Sequence, residues 1–545
     1  MQLSTAYGTI KNVSDLLVAH RRRNIFLFAV IFITALGLTL LLALGEITIG
    51  YVVLGGLVVL VIAVLIVRWP VVGFYVIVVC ATAVEAELPI SVMGIPILYV
   101  DYWPPGYEGM IERPIGFLIL FIFLVLICHN LAKRERALQG GKLLLPFLSF
   151  LLCVAYGVVY GLATHGDFKI IILEIRPFWY LFVSYLLAYN LVKHKNHIRF
   201  FFWIVIVCAG LRTIQGLYIF LVVLHSHSAL HEILPHEESF FFVAIILLIV
   251  LFKIYYRYRP QLYTALLILP FLVIVLIVNQ RRADYVALLV GIGVAWIVTI
   301  QNKPRARKKL IAVLLVCTIL CTIYIVAFSH ASGKLAEPAR AVMSIIRPDP
   351  SDPSYSSNLY RVTENFDLKY TVLRGSALSP LIGFGFGKAF LQPIPLPNLG
   401  AANPGLGGQP TNFIPHNTIL WVWMRLGAIG YFAFWYLLGA IIVRGCIIAR
   451  QLRDPYLQLV AIFVIGITFM EVIVAYADYQ LYFYRDIFYF GLLAGILMKL
   501  PALDTKFDTK KENSVNEAAH GITEPAISNV GSRDTELLSA ANPRR

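Results

Sequence analysis

An all-α polytopic membrane protein is the fold class this sequence predicts, with about 14 transmembrane helices (12 to 14) and one large extracytoplasmic loop containing short helices. Three observations predict it. Of 545 residues, 59% are hydrophobic and only 14% charged, with a mean hydropathy of +0.79, more apolar surface than a soluble domain can hide. Apolar runs of about 18 or more residues recur along most of the chain, the length that crosses a hydrocarbon layer of roughly 30 Å as a helix. The charges gather in short clusters between those runs, so the net charge of +15 reads as orientation in the membrane and not as a nucleic-acid surface.

In chain order, residues 1–23 end in Arg21, Arg22 and Arg23 and are expected in the cytoplasm. No apolar stretch with a small-residue cleavage site precedes them, so no cleaved signal peptide is expected. Residues 24–328 carry helices 1–11: runs at 24–45 and 47–67, a third after Pro70, then 114–131, 143–163, 174–192, 199–224, 238–255, 262–279, 283–301 and 310–328. The loop at 84–113 is acidic and aromatic, whereas clusters such as Lys133/Arg134/Arg136 and Lys303/Arg305/Arg307 are strongly basic. That alternation puts the basic set and both chain ends inside. Residues 329–415 form the one long polar insertion, extracytoplasmic by this count, whose stretch 357–378 lacks Pro and reads as an amphipathic helix bearing Arg361, Lys369 and Arg374. Helices 12–14 occupy 416–500, and 501–545 is polar without periodicity, expected to be a disordered cytoplasmic tail.

The seven cysteines lie in or at the ends of apolar runs, which implies neither a disulfide framework nor a four-ligand metal site; Cys317 and Cys321 share a helix face and read as packing. Charges at the outer ends of helices are the functional candidates, since nothing about topology asks for them there. Glu174 and Arg176 open one span from the outside, with Phe178, Trp179 and Tyr180 as an interfacial belt. Arg281 and Arg282 occupy the tight turn NQRRAD. His416 caps a membrane helix where a polar loop enters it, with Asn417 beside it and the turn Gly383, Gly385, Gly387 before a Pro/Gly-rich lid. Arg425 follows nine residues on, roughly 13 Å deeper, with Glu471 as its expected partner. His225, His227, His231 and His236 beside Glu232, Glu237 and Glu238 are zinc-ligand types, but their spacing fits no metal pattern and a solvated or gating outer loop explains them. GFGFG lacks the strand and helix of a dinucleotide loop. Tyr476, Tyr479, Tyr482 and Tyr484 suit sugar stacking or an interfacial belt equally.

Several guanidiniums, one imidazole and an aromatic mouth suit a lipid-anchored diphosphate, because Arg grips diphosphate oxygens bidentately. The chemistry that fits is glycosyl transfer from a polyprenyl-diphosphate-linked glycan to a lipid or glycan acceptor hydroxyl, with His416 taking the proton and arginines neutralising the leaving group. No cofactor and no metal are called for.

SPLIGFGFGKAF followed by HNTILWVWMRLGAIG resembles the signature of the O-antigen ligase and Wzy-type polysaccharide polymerase superfamily, a glycine turn late in a large loop and then HNxxLxxxxxxGxxG. NQRRADYVALLVG is similar to that family's Arg-bearing helix start, and the resemblance covers roughly residues 270–450. It implies that His416 and Arg282 are the functional His and Arg, with Arg176 as a further Arg. Arg281, Arg361, Arg374, Arg425, Gly383, Gly385 and Asn417 are then expected to bind substrate. Arg425 departs from the small or acidic residue expected at its position. The resemblance also implies a bacterial cytoplasmic (inner) membrane and surface polysaccharide, whether by polymerase, ligase or protein O-oligosaccharyltransferase chemistry, with polymerase favoured. The competing class is a polytopic transporter or flippase of a lipid-linked or anionic substrate.

Overall fold

The computed structural model describes residues 47–83, 114–223, 233–256, 259–304, 307–329, 331, 336–346, 355–396 and 413–520. The expected first span at 24–45, the loop 84–113, His225, His227, His231, most of the lid and the last 25 residues, 521–545, lie outside the described residues. Among the described residues there is no strand, and 11 helices are long and apolar enough to cross a membrane, with two shorter apolar helices besides. The chain is a polytopic helical membrane protein.

The first ten helices are α1 (Ile47–Arg68), α2 (Val71–Ala83), α3 (Pro114–Ala132), α4 (Leu144–Ala163), α5 (Phe168–Leu191), α6 (Lys195–Tyr218), α7 (His236–Tyr255), α8 (Arg259–Val278), α9 (Arg282–Asn302) and α10 (Arg307–Phe328). The polar insertion contributes α11 (Glu337–Ile346), α12 (Tyr355–Gly375) and the single turn α13 (Ser379–Ile382). Then come α14 (Thr418–Gln451), α15 (Pro455–Ala477) and α16 (Tyr484–His520). α5 packs along α16, α9 along α15, and α14 against both α15 and α4. α15 and the Tyr484–Asp504 part of α16 are enclosed on nearly all sides, while α10 is exposed along its apolar length, which for a membrane span is a lipid-facing surface. The core is aromatic-rich: Phe178 stacks on Trp421 with centroids 5.6 Å apart, and Phe147 on Tyr185 at 4.5 Å.

Two of the boundaries that differ from the sequence reading have a clear local cause. α5 starts at Phe168, not 174, because the Asp167 carboxylate accepts from the backbone N–H of Lys169 (2.8 Å) and Ile170 (3.1 Å) and so nucleates the helix earlier. Glu174 and Arg176 therefore lie within the helix and are buried, at 0% and 7% exposure, instead of marking an interfacial start. At the other end, α16 continues to His520 where a disordered tail from 501 was expected; Lys, Glu and Ala in that stretch sustain a helix that the span has already nucleated.

Candidate functional site

The turn between α8 and α9 is fixed first. Asn279 is buried, its Oδ1 accepting from the N–H of Ile233 and Leu234 (both 3.0 Å) while its Nδ2 donates to Ser239 Oγ at 2.8 Å. Gln280 takes the left-handed conformation, φ +56°, that reverses the chain in so few residues. Arg281 then points to Asp478, Nη1 to Oδ2 3.4 Å, and Arg282, half-buried, begins α9.

Asp478 ends α15, and its carbonyl accepts from Thr418 Oγ1 (3.3 Å), the first residue of α14. Asn417, not His416, caps that helix: its Oδ1 accepts from Leu420 N–H at 2.9 Å, and its Nδ2 donates to Asn365 Oδ1 at 2.9 Å. An amide reaches back to the helix N–H groups with the short side chain that capping requires, which leaves the imidazole free to face elsewhere. His416 faces α12. Glu364 Oε2 accepts its backbone N–H (2.9 Å) and Oε1 lies 3.2 Å from Nδ1. Glu364 is 1% exposed and the imidazole 22%. Tyr360 and Tyr479 stand edge-on to the ring from two sides, each 5.2 Å between centroids. An ionised Glu364 can only accept, so Nδ1 is the donor in this pair, and Nε2 has no hydrogen-bond partner among the described residues. Burial, with Glu364 beside it, pushes the Tyr360 hydroxyl up to about 12, so this phenol stays neutral against the ring.

The glycine turn lies alongside, against a break in α14. Gly427 has φ +65° inside that helix, which deprives the Met424 and Arg425 carbonyls of their normal donors. Phe384 N–H (2.7 Å) and Gly385 N–H (3.1 Å) supply them instead. A Cβ on Gly383 would sit 2.3 Å from the Arg425 carbonyl oxygen, so only glycine permits this approach. Gly383 and Gly385 thus turn their backbone to α14. Gly387 N–H donates to Glu174 Oε2 at 2.6 Å, and Asp167 N–H to the Gly387 carbonyl at 2.8 Å, which ties the turn to α5 as well.

Arg425 pairs with Glu174, not with Glu471. The two are in direct ionic contact with both side chains at 0% exposure. Trp421 Nε1 also donates to Glu174 (3.3 Å), while Arg425 donates to the carbonyls of Gly385 (3.1 Å) and Phe413 (3.0 Å). The break at Gly427 brings the glycine turn and α5 to this side of α14, whereas Glu471 is buried elsewhere, with neither oxygen hydrogen-bonded among the described residues. Lys388, which the sequence reading passed over, lies over the Phe384 ring (4.9 Å) and the Tyr160 ring (5.4 Å); burial and then Arg425 lower its ammonium below the usual lysine range.

Of the sequence candidates, the structure gathers His416, Asn417 and Arg281 at one junction, with Arg282 next in sequence. Arg425, Gly383 and Gly385 form the buried clamp behind it. Arg361 reaches Ser357 Oγ (3.2 Å) on its own helix, half-buried. Arg374 is exposed at the end of α12, over the Tyr370 ring and about 15 Å along the helix from Glu364. Arg176 is buried on α5, which packs against the short turn Gln480–Tyr482 following Tyr479. Glu364 was missed, although acids at 364 and 367 share the face of α12 opposite Leu359, Val362, Phe366 and Leu373; the periodicity was visible, the partner was not.

A second buried cluster joins Glu237 and Glu238 to Arg212 and Arg485, two arginines that the sequence did not single out. Glu238 Oε1 is in ionic contact with Arg212 Nε (2.7 Å) and Arg485 Nη1 (2.6 Å), Glu237 lies 3.4 Å from Arg485 Nη1, and Arg485 Nε donates to the Ala81 carbonyl at 2.9 Å. Glu237 and Glu238 are thus in the first turn of α7 and tie it to α2, α6 and α16, instead of lying in a solvated loop. Among the described residues no three His, Cys, Asp or Glu side chains are placed to hold a metal ion.

No family model matches the chain, and no curated protein is significantly similar to it. The functional reading rests on the geometry of this junction and on the motif resemblance.

Proposed function

We propose that the protein is a membrane glycosyltransferase that moves a glycan from a polyprenyl diphosphate to an acceptor hydroxyl, in polymerising or ligating a surface polysaccharide at the outer face of a bacterial cytoplasmic membrane. The observation that carries this reading is the Glu364–His416 pair: a nearly buried carboxylate on Nδ1, a free Nε2, and a partly exposed ring at the mouth of a membrane helix. That is the arrangement of a general base held in one tautomer. Nε2 takes the acceptor hydroxyl proton, the oxygen attacks the anomeric carbon, and the bond from that carbon to the diphosphate oxygen breaks, the electron pair leaving with the diphosphate. Arg281 at the same junction, and Arg282 next to it in sequence, supply positive charge for that leaving group. The substrate and partners follow from this chemistry: a lipid-linked glycan donor and a glycan or lipid acceptor.

A second reading, a transporter, draws on the charges buried inside the helix bundle at Arg212, Glu237, Glu238 and Arg485. Complementation of a strain lacking the gene separates the two. His416→Ala should lower glycan transfer by about 10²- to 10⁴-fold, and Glu364→Gln by roughly tenfold or more, at unchanged protein level. Accumulated single repeat units on gels indicate a polymerase; full-length chains left on the carrier indicate a ligase. Normal glycan from both variants sinks the proposal.

A further inference from the structure

Helix α12 is built the wrong way round for a helix in water. The side it turns to the protein carries Thr363, Glu364, Asp367 and Thr371 with only Leu368 and Val372 between them, all buried. Its other side shows Leu359 (42% exposed), Val362 (66%), Phe366 (48%) and Leu373 (63%), a stripe at i, i+3, i+7 and i+14. The chain beyond adds exposed Leu378, Leu381, Leu391 and Ile394. An apolar surface of this extent needs something to cover it.

Two observations identify the cover. The first is continuity: Trp423 Nε1 on α14 donates to the Pro380 carbonyl (3.3 Å), and the Leu381 carbonyl oxygen lies where a Cβ on Gly427 would stand, 2.3 Å away. Just past that contact α14 exposes Ile429, Phe432 and Tyr436, the lipid-facing side of a membrane span. The apolar face of the insertion runs on from it. The second is charge sorting: the acids Glu364 and Asp367 are buried toward the protein, while Lys369 and Arg374 are exposed at the edges of the stripe. Cations flanking an apolar stripe complement anionic phosphate at a bilayer surface.

We propose that α12, with α13 behind it, lies in the bilayer interface, its apolar stripe among the acyl chains and Lys369 and Arg374 at the headgroup phosphates. His416 is then roofed from the lipid side by a helix whose polar face holds its carboxylate. On the glycosyl-transfer reading, on which this one clause rests, a donor with its polyprenyl tail in the bilayer reaches His416 without leaving the lipid.

The test is photo-crosslinking of the full chain in phosphatidylglycerol-containing nanodiscs, with p-benzoylphenylalanine at Val362 or Phe366, at Phe432 as the lipid-facing reference, and at Leu368 as the buried control. Adducts with labelled phospholipid at 362 and 366, within about threefold of those at 432 and absent at 368, are expected. Strong labelling at 432 without any at 362 and 366, or adducts joining two copies of the chain, would overturn the proposal. The readout requires no glycan transfer, so a failed glycosyltransferase assignment leaves its result unaffected.

Discussion

Arg425 and Glu174 show what a charge inside a membrane bundle has to satisfy. Neither is accessible, and each makes further hydrogen bonds: Glu174 to Gly387 N–H and Trp421 Nε1, Arg425 to the Gly385 and Phe413 carbonyls. Removing one partner strands the other charge away from water, a loss of about 3–5 kcal/mol. Arg425→Ala and Glu174→Gln should each lower the thermal midpoint of the purified protein. Arg425→Met with Glu174→Leu should lose clearly less than the sum, because both charges leave together, but not recover fully, since Gly387 N–H and Trp421 Nε1 keep no acceptor. Strict additivity in that cycle, read by intrinsic-fluorescence melting, would mean the pair is not coupled. The sequence showed that Arg425 needs a partner; it did not show which. The choice between Glu174 and Glu471 depends on which side of α14 the residue faces after the helix breaks, and spacing counted along an unbroken helix cannot supply that.

At the scale of elements, the glycine turn and α14 complete each other's hydrogen bonding. The break at Gly427 strands two carbonyls; the turn at Gly383 and Gly385 offers two N–H groups that no regular element takes up. Glycines at 383, 385, 387, 427 and 430 were legible as a turn and a membrane helix, and so were nearly all the span limits, because hydrophobic run length is set by bilayer thickness. The docking of turn on break was not legible: a sequence shows where positive φ is permitted, not which backbone approaches there. Gly427→Ala should cost about 1–2 kcal/mol for the left-handed conformation, and more for the Cβ, which would lie 2.3 Å from Gly383 N. Gly439→Ala, with nothing within 4 Å of the new methyl, should be neutral or gain about 0.5–1 kcal/mol in the same helix. Equal melting of the two variants would leave the docking of the glycine turn on the Gly427 break without energetic weight.

For the whole molecule, the distribution of buried charge divides the bundle into two kinds of acid. Glu237 and Glu238 face Arg212 and Arg485, so that α2, α6, α7 and α16 meet around paired ions. Asp284 on α9, Glu471 on α15 and Asp486 on α16 are equally buried, at 3%, 1% and 0% exposure. Both oxygens of Glu471 and of Asp486, like those of Glu238, lack a hydrogen-bond partner among the described residues, but Glu238 is in ionic contact with two guanidiniums and no salt bridge among those residues reaches Glu471 or Asp486. Length and composition made the bundle legible, but not this division, because acids at helix ends read alike until their neighbours on other helices are known. The two kinds should respond oppositely to neutralisation. Glu238→Gln removes the charge that both guanidiniums address and leaves two buried cations facing one carboxylate, a loss of about 3–5 kcal/mol. Glu471→Gln removes a group that gains nothing from its surroundings, and its amide can donate to a neighbouring carboxylate, so stability should hold or rise. Melting of the two variants side by side in one detergent checks the division. A fall for Glu471→Gln as large as that for Glu238→Gln would mean that Glu471 carries a stabilising partner, and the bundle would then hold one class of buried acid.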